Sequence, residues 1–152
     1  MNLFLPCLYS FLACIGFCII FNIHGKIVFY ASLGGALGWF VFLLFAITGN
    51  DIIQYFCAMV AITLYSEIMA RIHKVPATLY LITGLIPLVP GSGIYYTMEY
   101  FIDGNTTQFL SSFIHTLAIA GSLAFGILIV SSGMRMYQQA LIRLRRNTKK
   151  VN

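Results

Sequence analysis

Long apolar runs separated by short polar stretches make up most of this chain. Five runs stand out, at about residues 3–22, 27–47, 52–70, 76–98 and 109–132. Each is close to the length of about 20 residues that a helix needs to cross the hydrocarbon core of a bilayer. The stretches between them, such as NIHGK and TGND, are short and polar. The pattern predicts an all-α integral membrane protein with about five transmembrane helices.

The fourth run is interrupted at its centre by two prolines and two glycines. Pro87 and Pro90 have no backbone N–H to donate, and each ring clashes with the carbonyl four residues earlier. Gly91 and Gly93 allow backbone angles that other residues resist. The pattern predicts that the fourth helix is broken at Pro87–Gly93, near the middle of the bilayer.

Such a break exposes backbone groups that lipid cannot satisfy, so it survives only beside protein or a water-filled cavity. We expect one half-helix to end near Ile86 and the next to begin near Ser92, which is a suitable N-cap. The second half-helix would then direct its positive end at the midplane and hold an anionic group such as a substrate carboxylate. Tyr96 and its neighbouring tyrosines would line an outer vestibule. The alternative is a simple proline kink that lets neighbouring helices pack, with the tyrosines in an aromatic belt.

Composition agrees with the membrane class, because 60% of the 152 residues are hydrophobic and only 9% are charged. The net charge is +5, and most of the basic residues follow the last apolar run. Positively charged segments stay on the cytoplasmic side, so we predict the N-terminus outside and the C-terminus in the cytoplasm. Residues 1–134 would form the transmembrane domain and residues 135–152 a basic cytoplasmic tail. The tail lacks aromatic or motif interleaving, which indicates contact with membrane lipid and not with nucleic acid.

Ionisable side chains inside the apolar runs are candidates for proton coupling, because their burial in a membrane is costly. Glu67 lies four residues after Thr63 and four before Arg71, which places all three on one helical face. His115, near the outer end of the last run, can change its charge near neutral pH. The alternatives are an interfacial ion pair of Glu67 with Arg71 that anchors the helix end, and a hydrogen-bonded packing role for His115.

The remaining polar and small residues indicate packing and not catalysis. Gly34 and Gly38 form a small-xxx-small pattern that lets two helices approach closely. The sequence shows no phosphate loop, catalytic triad or metal-ligand cluster, so we expect no enzyme activity, no metal and no cofactor. The cysteines fall in apolar runs without metal-ligand spacing and are expected to be small core residues: Cys7, Cys14, Cys18 and Cys57.

The segment YSEIMARIHKVPATLYLITGLIPLVPGSGIYYTMEYFIDGN, from Tyr65 to Asn105, resembles the signature of the threonine/serine exporter family in its short C-terminal-half form. The chain length and the predicted number of helices agree with that form. PLVPG is the most specific part of the resemblance. The residues that carry it are Glu67, Ala70, Arg71, Pro76, Ala77, Pro87, Leu88, Val89, Pro90, Gly91 and Tyr96.

The resemblance implies secondary export of small hydrophilic metabolites across the bacterial cytoplasmic membrane. The metabolites are threonine and serine in some members and dicarboxylates such as succinate in others. It also implies a separate N-terminal-half subunit as partner, so that this chain is half of a two-component exporter. The chain is also expected to be able to form a homo-oligomer with further copies of itself. Substrate would bind or be gated where the broken helix meets the partner, at Pro87, Pro90, Gly91, Ser92, Gly93 and Tyr96. The proton-coupling candidates are Glu67, Arg71 and His115. The alternative is a non-transporting membrane scaffold or regulatory subunit, in which the break only shapes packing.

Overall fold

The computed structural model describes residues 4–151, with side chains described up to residue 140. Over this range the chain is helical apart from short turns, as the all-α prediction requires. The helices are α1 (Phe4–Ile20), α2 (Lys26–Leu44), α3 (Asp51–His73), α4 (Ala77–Leu85), α5 (Gly91–Ile102) and α6 (Thr106–Val151). Two short 3-10 turns, Phe45–Thr48 and Ile86–Leu88, continue α2 and α4.

Three segments are long and apolar enough to cross a membrane: Lys26–Thr48, Asp51–His73 and Thr106–Ala140. The pair Ala77–Leu88 and Gly91–Ile102 counts as a fourth if the two helices form one span bent by 51°. Helix α1 is apolar but has only 17 residues, about 25 Å at ~1.5 Å per residue against a hydrocarbon core of about 30 Å. The chain is therefore a helical protein with three to four candidate spans, and the fifth span and the orientation of the termini stay predictions.

The last helix continues through the position at which we placed the boundary between membrane domain and tail. Helix α6 is one uninterrupted helix from the apolar run into the basic segment. The side chains of the predicted basic tail after residue 140 lie outside the described side chains. Their contact with membrane lipid therefore stays a prediction.

Helix α3 is the centre of the structure, because it packs against α2, α4 and α6. Glycines allow these close approaches. A Cβ added to Gly38 would collide with the buried side chain of Ile62, and one added to Gly84 would lie 3.0 Å from the same side chain. A Cβ on Gly34 would lie 3.1 Å from the ring of Tyr65. The packing role predicted for Gly34 and Gly38 is confirmed.

Short polar side chains hold α1 against α2 and α4. The Ser10 hydroxyl donates to the Gly35 carbonyl at 3.0 Å, and the Cys14 thiol donates to the Thr83 carbonyl at 3.3 Å. Cys14 and Cys18 are fully buried, as the core prediction for the cysteines requires. Because an added Cβ on Gly35 would collide with the Cys14 sulfur, α1 and α2 can pack this closely only with glycine at that position.

The predicted break of the fourth helix is confirmed, and its halves end and begin near Ile86 and Ser92 as expected, but Ser92 is not the N-cap. Helix α4 ends at Leu85, a 3-10 turn follows, and α5 begins at Gly91. Pro90 caps α5, and its carbonyl accepts the first helical hydrogen bond, from the Ile94 N–H at 3.1 Å. Ser92 is therefore inside the first turn and is not the N-cap, and no side chain caps this helix end.

The Cys14 thiol compensates for the amide that Pro87 lacks. In an unbroken helix the Thr83 carbonyl would accept the N–H of the residue four positions later. That residue is Pro87, which has no N–H, so the Thr83 carbonyl accepts the Cys14 thiol instead. A carbonyl that would be unsatisfied in the membrane is thus paired by a side chain from another helix.

Pro90 likewise lacks the N–H that the Ile86 carbonyl would accept in an unbroken helix. That carbonyl instead accepts the Val89 N–H at 3.2 Å. The donors on the other side of the break are not satisfied. Among the residues that the structure describes, the amides of Ser92 and Gly93 in the first turn of α5 have no hydrogen-bond acceptor. The break therefore presents free N–H groups and no free carbonyl at the two proline-affected positions.

The two half-helices are held by different parts of the structure. Helix α4 packs mainly on α2 and α3, whereas α5 makes its main contacts with α6. The hydroxyls of Thr97 and Ser112 lie 2.9 Å apart across the α5–α6 interface. Gly93 approaches α6 so closely that an added Cβ would lie 2.5 Å from the Thr116 hydroxyl oxygen. The break is thus the junction between a half-helix fixed in the body of the protein and a half-helix fixed to α6.

The compensation of Pro87 by Cys14 can be tested with a double-mutant cycle. We expect Cys14→Ala to lower the free energy of unfolding by about 1 kcal/mol, in the range of interhelical hydrogen bonds in membranes. The loss should be smaller in a Pro87→Ala background, because an alanine at that position supplies an N–H to the Thr83 carbonyl. Unfolding in mixed micelles measures both. Cys14→Ser, which keeps a donor, is the control, and equal losses in the two backgrounds would contradict the assignment.

A second test concerns the contact of α1 with α2. Gly35→Ala should lower the free energy of unfolding by about 1–3 kcal/mol, because its methyl group collides with the Cys14 sulfur. Cys14→Ala removes that sulfur, so Gly35→Ala should lower the free energy of unfolding by less in a Cys14→Ala background than in the unchanged chain. Gly16→Ala is the control, because a Cβ there meets nothing within 4 Å. An equal effect of Gly35→Ala in the two backgrounds would show that the collision is not the cause.

Candidate functional site

A groove of about 740 Å³ lies between α5 and α6 beside the break. The end of α4 and the break contribute Leu85, Val89 and Pro90 to its lining. Only two of the lining side chains, both threonines, are polar. The rest of the lining comes from α5 and α6: Ile94, Thr97, Met98, Phe101, Phe109, Phe113, Thr116, Leu117, Ala120, Leu123, Ala124 and Ile127.

The two threonine hydroxyls in the groove already have hydrogen-bond partners. Thr97 donates to the Gly93 carbonyl at 2.7 Å, so its contact with Ser112 requires the Ser112 hydroxyl to donate. Thr116 donates to the Ser112 carbonyl at 2.8 Å. The contact of Thr97 with Ser112 joins α5 to α6, and the other two bonds lie within one helix each. With both threonine hydroxyls paired, the groove has an almost wholly carbon surface. The groove as it stands suits an apolar occupant better than a hydrophilic metabolite.

The residues predicted at the break have different surroundings. Pro87 is half-buried, and Pro90 is buried and lines the groove. Gly91 lies in open space, since an added Cβ would meet nothing within 4 Å, and Ser92 is exposed. Gly93 is pressed against α6. The free amides at this helix start lie at the positive end of the helix dipole, which is an arrangement that attracts anions.

Tyr96 lies outside the groove. Its side chain is exposed and makes an edge-to-face contact with Tyr95, with 5.5 Å between ring centroids. The side chains of α5 that line the groove are Ile94, Thr97, Met98 and Phe101. A vestibule role for Tyr96 is therefore separate from the groove and stays a prediction.

Glu67 and Arg71 form the ion pair that we considered as one alternative. Their side chains approach to 3.4 Å on adjacent turns of α3, with Glu67 21% and Arg71 39% exposed. An exposed pair at this spacing stabilises a helix by only about 0.5 kcal/mol. Thr63, on the same face, is buried and donates its hydroxyl to the Met59 carbonyl. The pair joins adjacent turns near the end of α3, and a proton-coupling role for Glu67 and Arg71 stays a prediction.

His115 lies beside an acidic residue that the sequence did not single out. Its Nε2 is 3.8 Å from a carboxylate oxygen of Asp51, and both side chains are more than half exposed. Asp51 is the first residue of α3, where Asn50 caps the helix by accepting the Ile52 N–H at 3.0 Å. The contact becomes an ion pair only when His115 is protonated. It links the start of α3 to α6.

The charged candidates lie at different depths from the break. Ile62 contacts α4 at Gly84, just before the break, and so marks that level on α3. Glu67 lies five residues further along, about 7 Å toward the end of α3, and Asp51 lies about 16 Å in the opposite direction. The structure therefore does not bring Glu67, the break and His115 into one site.

A cluster of aromatic and histidine side chains at the α3–α4 turn was also not predicted from the sequence. The hydroxyl of Tyr80, which is 1% exposed, lies 2.9 Å from Nδ1 of His73. The His73 ring lies 4.7 Å from that of Tyr30, whose carbonyl accepts the Tyr65 hydroxyl at 2.7 Å. These contacts tie α2, α3 and α4 together. The signal in the sequence was a histidine and a tyrosine seven residues apart across a short turn.

The four cysteines are free thiols. Cys7 and Cys57 are half-buried, unlike the fully buried Cys14 and Cys18. Among the residues that the structure describes, no group of three histidine, cysteine or acidic side chains lies close enough together to hold a metal ion.

Comparison with known proteins identifies the family. Residues 6–132 match the sequence profile of the family described as "Threonine/Serine exporter, ThrE". An uncharacterized protein of Haemophilus influenzae is 26% identical over 141 residues, an alignment that covers 87% of this chain and 47% of that protein. The chain thus spans about half the length of this curated relative. No solved structure matches the chain.

The family match extends from α1 into α6 and includes the break, the groove, the Glu67–Arg71 pair and His115. The family is described as one of exporters. The long apolar helices agree with a multi-pass membrane protein. The chain belongs to the threonine/serine exporter family.

Proposed function

We propose that this chain is one subunit of a two-component secondary exporter of small hydrophilic metabolites, either threonine and serine or a dicarboxylate such as succinate. Its partner is a separate N-terminal-half subunit of the same family. The observation that carries the proposal is the broken helix α4–α5 with its uncapped start, which lies within the family match. Broken helices with free helix ends form the substrate sites of many secondary transporters.

The need for a partner follows from the chemistry of the groove. Hydrophilic metabolites require polar partners when they leave water, and the groove beside the break is lined almost entirely by carbon. A hydrophilic path therefore requires a second surface opposite the break. The Haemophilus influenzae relative has about as much chain again outside the aligned part, which supports a second half of similar size.

The free amides support the proposed substrate class. Threonine, serine and succinate all carry a carboxylate, and the amides of Ser92 and Gly93 lie at the positive end of α5. A carboxylate there would accept two N–H groups and be stabilised by the helix dipole. Pro87 and Pro90 hold the break open, while Gly91 leaves space in front of the amides.

Alternating access would use the junction between the half-helices. Helix α4 is fixed to α2 and α3, whereas α5 is bonded to α6 through Thr97 and Ser112. A tilt of α6 would carry α5 with it and change the angle at Val89 and Pro90. The amides would then face one side of the membrane or the other.

Proton coupling is assigned to the ionisable groups at the two ends of α3. Glu67 with Arg71 lies at one end, and His115 with Asp51 lies at the other. With the N-terminus outside and the basic tail in the cytoplasm of a bacterium, Glu67 would face the cytoplasmic side of the inner membrane and His115 the outer side. A proton could then bind on either side of the break, although not at the break itself.

The two-component proposal is tested by efflux of labelled threonine, serine, succinate and a neutral control metabolite. Cells express this chain with and without a separately encoded N-terminal-half member of the family from the same genome. We expect efflux of one substrate class only when both chains are present. No efflux with both chains shown to be in the membrane would favour the scaffold or regulatory alternative.

The site at the break is tested by Gly91→Ala. The added methyl group meets nothing within 4 Å, so assembly and thermal stability should be unchanged. Efflux should fall several-fold, because the methyl group occupies space in front of the amides. Gly93→Ala is the comparison, since its Cβ would meet Thr116 and should weaken the packing of α5 on α6. Normal efflux by Gly91→Ala would argue against substrate at this position.

Proton coupling is tested by the pH dependence of efflux. Glu67→Gln removes the titratable carboxyl group but keeps the side-chain size, so efflux should lose its dependence on pH if Glu67 carries the proton. Glu99→Gln, at an exposed position in α5, is the matched control. An unchanged pH profile for Glu67→Gln would reject the role and leave His115 as the remaining candidate, tested in the same way by His115→Asn.

A further inference from the structure

The groove between α5 and α6 has the length of a membrane span. Its lining extends along α6 from Phe109 to Ile127. These eighteen helical steps correspond to about 27 Å at ~1.5 Å per residue, close to the hydrocarbon thickness of about 30 Å. A metabolite of the size of threonine would occupy only a small part of this length. The groove is therefore shaped for an elongated occupant.

The chemistry of the lining suits the side of an apolar helix. Ile94, Met98 and Phe101 of α5 are each more than half exposed along one edge of the groove. Ala120 and Ala124 provide small side chains on α6, which allow another helix to approach closely. Both threonine hydroxyls already have hydrogen-bond partners, so the groove needs no polar occupant.

The unpaired backbone groups at the break favour a protein occupant of the groove over a lipid chain. Val89 and Pro90 line the groove, and the unpaired amides of Ser92 and Gly93 follow directly in the chain. Irregular backbone at membrane depth is tolerated where protein covers it or where it lines a water-filled cavity, but not where it faces lipid. An acyl chain in the groove would leave these amides facing hydrocarbon. A protein helix there would separate them from lipid.

We infer that the α5–α6 groove is the docking surface for a membrane-spanning helix of the partner half. The inference rests on the proposed two-component function. In the Haemophilus influenzae relative, about half of the length lies outside the segment similar to this chain, so a further stretch of comparable size accompanies the similar segment there. Docked in the groove, the partner helix covers Val89 and Pro90 and so closes the lipid side of the break next to the free amides.

The test uses a photo-cross-linking amino acid at two positions of α6 in the full chain, co-expressed with the epitope-tagged N-terminal-half subunit of the efflux experiment. Leu117 lines the groove and is 55% exposed. Ile129 is 58% exposed, and it lies two and a half turns from Ala120, on the face opposite the groove. The two positions are thus matched in side-chain size and exposure. A second copy of this chain with a different tag is included in the same cells.

We expect the partner subunit to be cross-linked several-fold more from position 117 than from position 129. Cross-links from position 117 to the second copy of this chain, or to lipid alone, would overturn the inference. If the partner co-purifies and efflux occurs but the cross-links form at position 129, the docking surface is wrong and the two-component function stands. If the partner neither co-purifies nor supports efflux, both proposals fail.

Discussion

The need to pair every backbone polar group inside a bilayer governs this structure. Pro87 removes one N–H from the fourth helix, and the Thr83 carbonyl that loses it is paired by the thiol of Cys14. Helix α1 therefore packs against α2 and also supplies the hydrogen-bond donor that a carbonyl of α4 lacks. The second proline is compensated within the turn itself, by the Val89 N–H. Among the described residues at the break, the groups that remain unpaired are donors, the amides of Ser92 and Gly93.

The rest of the packing divides the chain into two parts with different chemistry. Around α2, α3 and α4, glycines and short polar side chains bring backbones close together, so that even one added methyl group at Gly35 or Gly38 would collide with a neighbour. Around α5 and α6, large apolar side chains enclose an open groove. The first part is a closed, tightly packed body. The second has a large apolar surface for which the described chain provides no cover.

The helical class, three of the predicted spans and the break could be predicted from the sequence because they depend on local properties, the length of the apolar runs and the missing N–H of proline. The first predicted span, at α1, stays a prediction. The N-cap of α5 was predicted incorrectly because the capping preference of Ser92 yields to Pro90, whose carbonyl already accepts the first helical bond. The pairing of Asp51 with His115 and the role of Cys14 depend on contacts between distant helices. No local pattern encodes such contacts, and the apolar nature of the groove likewise appears only when α5 lies against α6.

The length of α6 has a mechanical consequence. Its Thr106–Ala140 part alone has 35 residues, about 52 Å at ~1.5 Å per residue, whereas the hydrocarbon is about 30 Å thick. At least a third of this rigid rod therefore projects into the headgroup region and water. It acts as a lever arm: a tilt of a few degrees about its packing on α3 displaces the far end by ångströms. A tilt of α6 inside the membrane would therefore move its far end in the aqueous phase, because the helix is continuous between the two.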